Sequence, residues 1–221
     1  LAAAAFVAAI AAAPASADPA RFADPLQPWS SPDGKVHLLR PPAAAVSTLN
    51  DAVGSLMSPG WRLVWNGDPT PGRLVARFSL RVTADAPQTN RTEYLQIGVG
   101  RGRKAARGCL SDGLESGSGA RQADRVINGR RYAVWTNGDA GMSQQIAATD
   151  LRTVVGGACY AVERFSYGDS ASDPDPAVTL PQKRGAAMLD RSLASLRLGA
   201  RKRGEALSPP TSTLPPSAVA R

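Results

Sequence analysis

Arg73-Leu74-Val75-Ala76-Arg77-Phe78-Ser79-Leu80-Arg81-Val82-Thr83 is the stretch on which the fold turns. Leu74, Ala76, Phe78, Leu80 and Val82 take alternate positions, and Arg77, Ser79 and Arg81 take positions between them. Successive side chains of a strand point to opposite faces, so this pattern predicts a strand in a sheet with one apolar and one wet side. Residues 92–100 continue it, with Leu95, Ile97 and Val99 on a shared face. Further along, Asn128-Gly129 separates Val126-Ile127 from Arg131-Tyr132-Ala133-Val134-Trp135. Asn-Gly tolerates the positive φ of a tight two-residue turn, so a hairpin is predicted there. Gly156-Gly157 predicts a second one, between residues 141–155 and 158–168. In its second arm Cys159, Ala161, Glu163, Phe165 and Tyr167 share one face, and Tyr160, Val162 and Arg164 the other. Thr136-Asn137-Gly138-Asp139 reads as a turn between strands.

Helical spacing marks three other segments. Val46, Leu49, Val53 and Leu56 follow Pro41-Pro42 and predict a helix over 43–57. A short helix over 103–114 would carry Cys109. Ala186, Leu189, Leu193 and Leu196 define one face of a helix over 184–198. Trp61 to Trp65 reads as a short strand. Strands joined by short turns pair antiparallel, and amphipathic helices must cover a sheet face. The expected fold is therefore α+β: a single domain with an antiparallel sheet of six to seven strands, packed by N- and C-terminal helices.

The chain has 221 residues, 43% hydrophobic, 20% charged and 5% aromatic. That composition excludes global disorder, and no apolar run beyond the N-terminus is long enough for a polytopic membrane protein. Residues 1–17 are an Ala-rich apolar stretch, Pro14, then Ala15-Ser16-Ala17, which reads as part of a secretory signal peptide with its small-residue cleavage site. Residues 18–35 are expected to form an extension, 36–199 the domain, and 200–221 a disordered Pro/Ser-rich tail. The implied location is periplasmic or secreted, with no integral membrane segment once the signal is removed.

Export permits a disulfide, and Cys109 and Cys159 are the two cysteines of the chain. A bond between them is expected; the alternative is two free thiols. A cysteine nucleophile wants an imidazole beside it, and His37 is the one histidine. That single histidine also leaves no metal site in view. Asp169, Asp173 and Asp175 are interrupted by Pro174 and lack the bidentate Glu of a calcium loop. Gly98, Gly100 and Gly102 match neither phosphate-loop spacing and are expected to serve a sharp bend. Gly141-Met142-Ser143 begins like a nucleophile elbow but lacks its final glycine. No catalytic residue and no cofactor is assigned on these grounds. Trp61, Trp65 and Trp135 are expected in the core.

The formal net charge is +8. Arg101, Arg103, Lys104 and Arg107 form a basic run with no acid inside it, and Arg201-Lys202-Arg203 form another. The first is a candidate anion-binding cluster, able to attract phosphates or other polyanions. Of the 26 basic residues 22 are Arg, so composition alone offers a competing explanation. Nucleic acid is not an expected partner, because no aromatic residues interleave with the run.

The helix–sheet–helix order, closed by Ser192-Leu193-Ala194-Ser195-Leu196-Arg197-Leu198, resembles the PsbP-like α/β/α sandwich over residues 36–198. Asn137-Gly138-Asp139-Ala140-Gly141-Met142-Ser143-Gln144 and Cys159-Tyr160-Ala161 are similar to segments of uncharacterised exported bacterial proteins. The resemblance implies a non-catalytic binding or assembly module and transfers no site residues. The expected function is thus a binding module for a partner protein or an envelope polyanion. The alternatives are an envelope hydrolase using carboxylates or Ser143, and a polyanion binder acting through residues 101–107.

Overall fold

Two tight turns organise the chain. Asn128 (φ 47°) and Gly129 (φ 75°) close one hairpin, and Gly156 (φ 56°) and Gly157 (φ 73°) close the other. Both pairs are left-handed, which matches the right-handed twist of the strands they join. The computed structural model describes residues 25–49, 51, 60–62, 71–83, 90–111, 119–141, 143–169 and 175–199. The expected signal peptide (1–17) and tail (200–221), including Arg201-Lys202-Arg203, lie outside these residues, as do Trp65 and Asp173.

In chain order the elements are β1 (Gln27–Ser30), β2 (Val36–Arg40), β3 (Ala45–Ser47), β4 (Gly72–Thr83), β5 (Asn90–Arg101) and α1 (Gly102–Gly108). Then follow β6 (Ala120–Ile127), β7 (Arg130–Gly141), β8 (Gln144–Val155), β9 (Ala158–Asp169), α2 (Gln182–Ala194) and β10 (Arg197–Leu198). Seven strands form an antiparallel sheet in the order β3-β4-β5-β9-β8-β7-β6, and three form a smaller one in the order β1-β2-β10. The α+β class and the size of the main sheet are as expected. β1 brings part of the 18–35 extension onto the domain by pairing with β2.

One face of the large sheet carries the core. Ala76, Phe78 and Leu80 of β4, Leu95 and Ile97 of β5, and Val162 of β9 pack with Leu189, Leu193 and Leu196 from α2 and its end. Val36 and Leu38 of β2 complete the layer. Trp29 sits edge-on to Phe78, with ring centroids 5.0 Å apart. The end of α2 is tied down by polar contacts. Asn128 Nδ2 donates to the carbonyls of Ala194 (3.0 Å) and Leu196 (2.9 Å), so one turn residue both closes a hairpin and caps a helix. The Leu39 N–H donates to Ser195 Oγ at 2.8 Å.

Four local expectations are corrected. Residues 45–47 are strand β3 and not the start of a helix; Val46 pairs with Phe78, and 52–57 lie outside the described residues. The edge of β4 offers backbone hydrogen bonds that outweigh a marginal local periodicity, so the large sheet has no N-terminal helix over 43–49. Thr136–Asp139 is no turn: β7 runs on to Gly141, with Asn137 opposite Ala148 and Asp139 opposite Ile146. Trp61 belongs to no strand and is buried against β5. Finally, a register shift between Leu74 and Ala76 puts Val75 into the main core and takes Leu74 out of it.

Candidate functional site

The glycines of β5 explain the second face of the sheet. They do not form a bend. A Cβ on Gly98 would stand 1.6 Å from the Trp61 carbonyl oxygen, and one on Gly100 would stand 2.6 Å from the Trp61 ring. Gly98 and Gly100 are strand residues that let Trp61 lie directly on the backbone. Beside it sit Ala105, Cys109, Cys159 and Ala161, all buried.

Cys109 and Cys159 form the expected disulfide. Cys109 follows α1 and Cys159 belongs to β9, so the bond staples the short helix to the sheet. α1 turns its Ala105–Gly108–Cys109 side inward. Arg103, Lys104 and Arg107, spaced at i, i+1 and i+4, fall on the opposite side and are exposed. No ion pair among the described residues involves these three. Arg101 departs from them: it ends β5 and its guanidinium lies 3.5 Å from Asp33, which also holds Arg73 at 2.8 Å. The sequence-predicted cluster is therefore a ridge of three cations, with a fourth turned toward the end of the sheet.

A second cluster crosses the same face through the middle of the sheet. The pairing register aligns Arg77, Gln96, Glu163, Asp150, Trp135 and Arg121 in one row across β4, β5, β9, β8, β7 and β6. This side was expected to be wet, yet Glu163 and Asp150 are 0% exposed and Gln96 is 1% exposed. Hydrogen bonding makes part of that burial tolerable. Arg77 Nε donates to Gln96 Oε1 (2.8 Å), Gln96 Nε2 donates to Glu163 Oε2 (2.9 Å), and Arg77 Nη1 donates to Asp51 Oδ1 (2.7 Å). Asp150 differs, because neither of its carboxylate oxygens has a hydrogen-bond partner among the described residues. Burial pushes its pKa up to about 6, with the Arg152 guanidinium pulling the other way. The signal for this row was in the sequence. A two-residue turn at Gly156-Gly157 already sets Asp150 opposite Glu163.

On the core face, Glu93 (2% exposed) accepts a 2.6 Å bond from Arg164, which also pairs with Asp190 of α2 at 3.3 Å. Burial raises the Asp190 carboxyl, and Arg164 lowers it in part. The remaining candidates are dispersed. Ser143 stands exposed at the β7–β8 connection with φ 67°. His37 lies in β2, where Nε2 donates to the Gly34 carbonyl (2.9 Å) and Nδ1 bonds the Ser30 hydroxyl (2.8 Å). Asp175 pairs with Arg81 at 2.9 Å. Among the described residues no group of three or more His, Cys, Asp or Glu side chains could hold a metal ion, and no helix is long and apolar enough to cross a membrane.

No protein-family model and no curated protein matches the chain, and the helix–sheet–helix order behind the PsbP-like resemblance is not what the structure shows at residues 45–47. Among solved structures it is similar to LpqN, a protein involved in cell envelope biogenesis of Mycobacterium tuberculosis. The identity is 9%, the match covers 78% of this chain and 89% of that one, and the TM-score is 0.38, too slight a likeness to bear on function.

Proposed function

We propose that this chain is a non-catalytic binding module of the periplasm or extracellular space, and that an envelope polyanion is what it engages. The observation that carries the reading is the disulfide-stapled ridge, where Arg103, Lys104 and Arg107 are exposed on one side of α1 without an ion pair among the described residues. Cations that neutralise no internal acid cost nothing to redirect, and a covalent staple to β9 gives them a fixed presentation. The disulfide itself supports residence in an oxidising compartment. Residues 1–17 would direct export, 36–199 would be the working domain, and 200–221 a tail.

Polyphosphate binding to the purified protein across a sodium chloride series tests the reading. Three released counterions should give a slope of log K against log salt of about −2 to −3. The Arg103→Gln/Lys104→Gln/Arg107→Gln variant should lose most of that slope and of the affinity. Absence of binding, binding that ignores salt, or a variant that binds like the parent would refute it.

A further inference from the structure

A cleft of about 340 Å³ opens at the end of the large sheet, where the β8–β9 turn, the end of β5 and the residue after β10 come together. It is lined by Lys35, Arg101, Gly156, Gly157 and Tyr160, with Val155 and Ala158 as its aliphatic part. The volume suits a small molecule. Its chemistry is two-sided. Lys35 is exposed and makes no ion pair among the described residues. Arg101 and Arg73 share the single carboxylate of Asp33, which holds both guanidiniums without matching their charge. Arg130 stands near enough to act electrostatically on the Tyr160 hydroxyl, as Arg73 and Arg101 do. Three cations, Lys35, Arg73 and Arg101, thus lie around the one acid Asp33.

Tyr160 is 5% exposed, its ring belongs to the core, and its hydroxyl makes no hydrogen bond among the described residues. A phenol so placed is a ready donor toward the cleft. The N–H groups of Gly156 and Gly157 are also outside the strand ladder, because Val155 and Ala158 close the hairpin.

We propose that this cleft binds a small soluble amphipathic anion, a phosphate or carboxylate on a short apolar body. Lys35 and Arg101 neutralise the anionic group. Tyr160 and the Gly156-Gly157 amides offer it hydrogen bonds, and Val155, Ala158 and the Tyr160 ring receive the apolar part. The inference goes beyond the proposed function and does not rest on it, because the cleft's own cations call for an anionic ligand. It assigns that ligand to a pocket beside the ridge and not to the ridge.

The experiment is a titration of the ¹⁵N-labelled protein with phenyl phosphate, inorganic phosphate and benzyl alcohol, read from amide shifts. Phenyl phosphate should move Lys35, Gly156, Gly157 and Gly199. Inorganic phosphate should move the same amides at higher concentration, and benzyl alcohol should leave them in place. Lys35→Met and Tyr160→Phe should each weaken phenyl phosphate by about fivefold or more, the loss of one charged or polar contact. The Arg103→Gln/Lys104→Gln/Arg107→Gln variant should bind it as the parent does. Unmoved cleft amides at about 10 mM ligand, a range that would still reveal weak millimolar binding, would overturn the proposal. So would equal binding of phenyl phosphate and benzyl alcohol, or loss of binding only in the ridge variant. The polyphosphate series reports on the ridge separately, so one reading can fail without the other.

Discussion

Replacing Asp150 with Asn should stabilise the protein at alkaline pH and make it slightly less stable than the parent at acid pH. Asp150 is 0% exposed, and both its oxygens lack hydrogen-bond partners among the described residues. Desolvation raises its pKa from 3.8 to about 6, with Arg152 opposing. A carboxyl whose pKa is higher folded than unfolded holds its proton more tightly in the folded state. Stability linked to it is complete below about pH 4, falls as pH rises toward 6, and is gone above that. Two pKa units correspond to about 3 kcal/mol. Asn removes the ionisation but buries an amide whose own hydrogen bonds must be found, which costs about 1–2 kcal/mol. Asp150→Asn should therefore gain about 1–2 kcal/mol at pH 8 over the parent, lose that advantage by pH 4.5, and fall about 1–2 kcal/mol below the parent where the carboxyl is protonated in both states. Urea unfolding followed by tryptophan fluorescence between pH 4.5 and 8, at constant ionic strength, measures the difference. Subtracting the two curves should leave a ramp between about pH 4 and pH 6 that is flat above pH 6. A difference that does not vary with pH would refute the reasoning. So would a variant that becomes less stable than the parent as pH rises, which would mean that Asp150 is ionised and favourably paired in the fold.

Other consequences are as concrete. Reducing the Cys109–Cys159 bond, which spans 50 positions, should lower stability by about 4 kcal/mol on the chain-entropy account; unreduced protein should take up no maleimide, and labelling of both thiols in it would contradict the staple. Gly98→Ala should cost about 3 kcal/mol or more, because its methyl would overlap the Trp61 carbonyl, whereas Gly34→Ala, with nothing within 4 Å, should pay only for its left-handed backbone. Comparable denaturation midpoints for the two variants would contradict the packing of Trp61 on β5. Asn128→Ala should lose about 1–2 kcal/mol, since it removes the two bonds that end α2 and places alanine at φ 47°; Asn128→Asp, keeping turn compatibility but not the donor, should recover only part of it.

Turn chemistry is what the amino-acid order settled without help. Asn128-Gly129 and Gly156-Gly157 each demand left-handed backbone, and a two-residue turn fixes which residues face each other along both arms. The pairings Ile127–Arg130 and Val155–Ala158, and through them Asp150–Glu163, follow by counting. The body of helix α2 was equally legible, because Leu189 and Leu193 repeat at helical spacing after a proline. Its end was not: the helix stops at Ala194, short of the expected 198, and Arg197–Leu198 pair with β2. The cysteines could be paired because the chain holds two, which leaves each one intramolecular partner.

Other features were settled by contacts between distant parts of the chain. Val46 becomes strand because the exposed edge of β4 is there to be paired, which no window around Val46 contains. Gly98 and Gly100 look like punctuation until Trp61 is laid across them. Alternation placed Arg77 on a polar face, but whether that face met water depended on Gln96 and Glu163 arriving in register from other strands. The run 101–107 was visible as charge. Its division into a ridge and a cleft residue depended on Asp33, which comes from the turn before β2. Local sequence sets backbone dihedrals and side-chain period, since those are properties of neighbouring residues. Burial, charge compensation and edge pairing depend on groups far apart in the chain, so they take definite values only once the sheet is assembled.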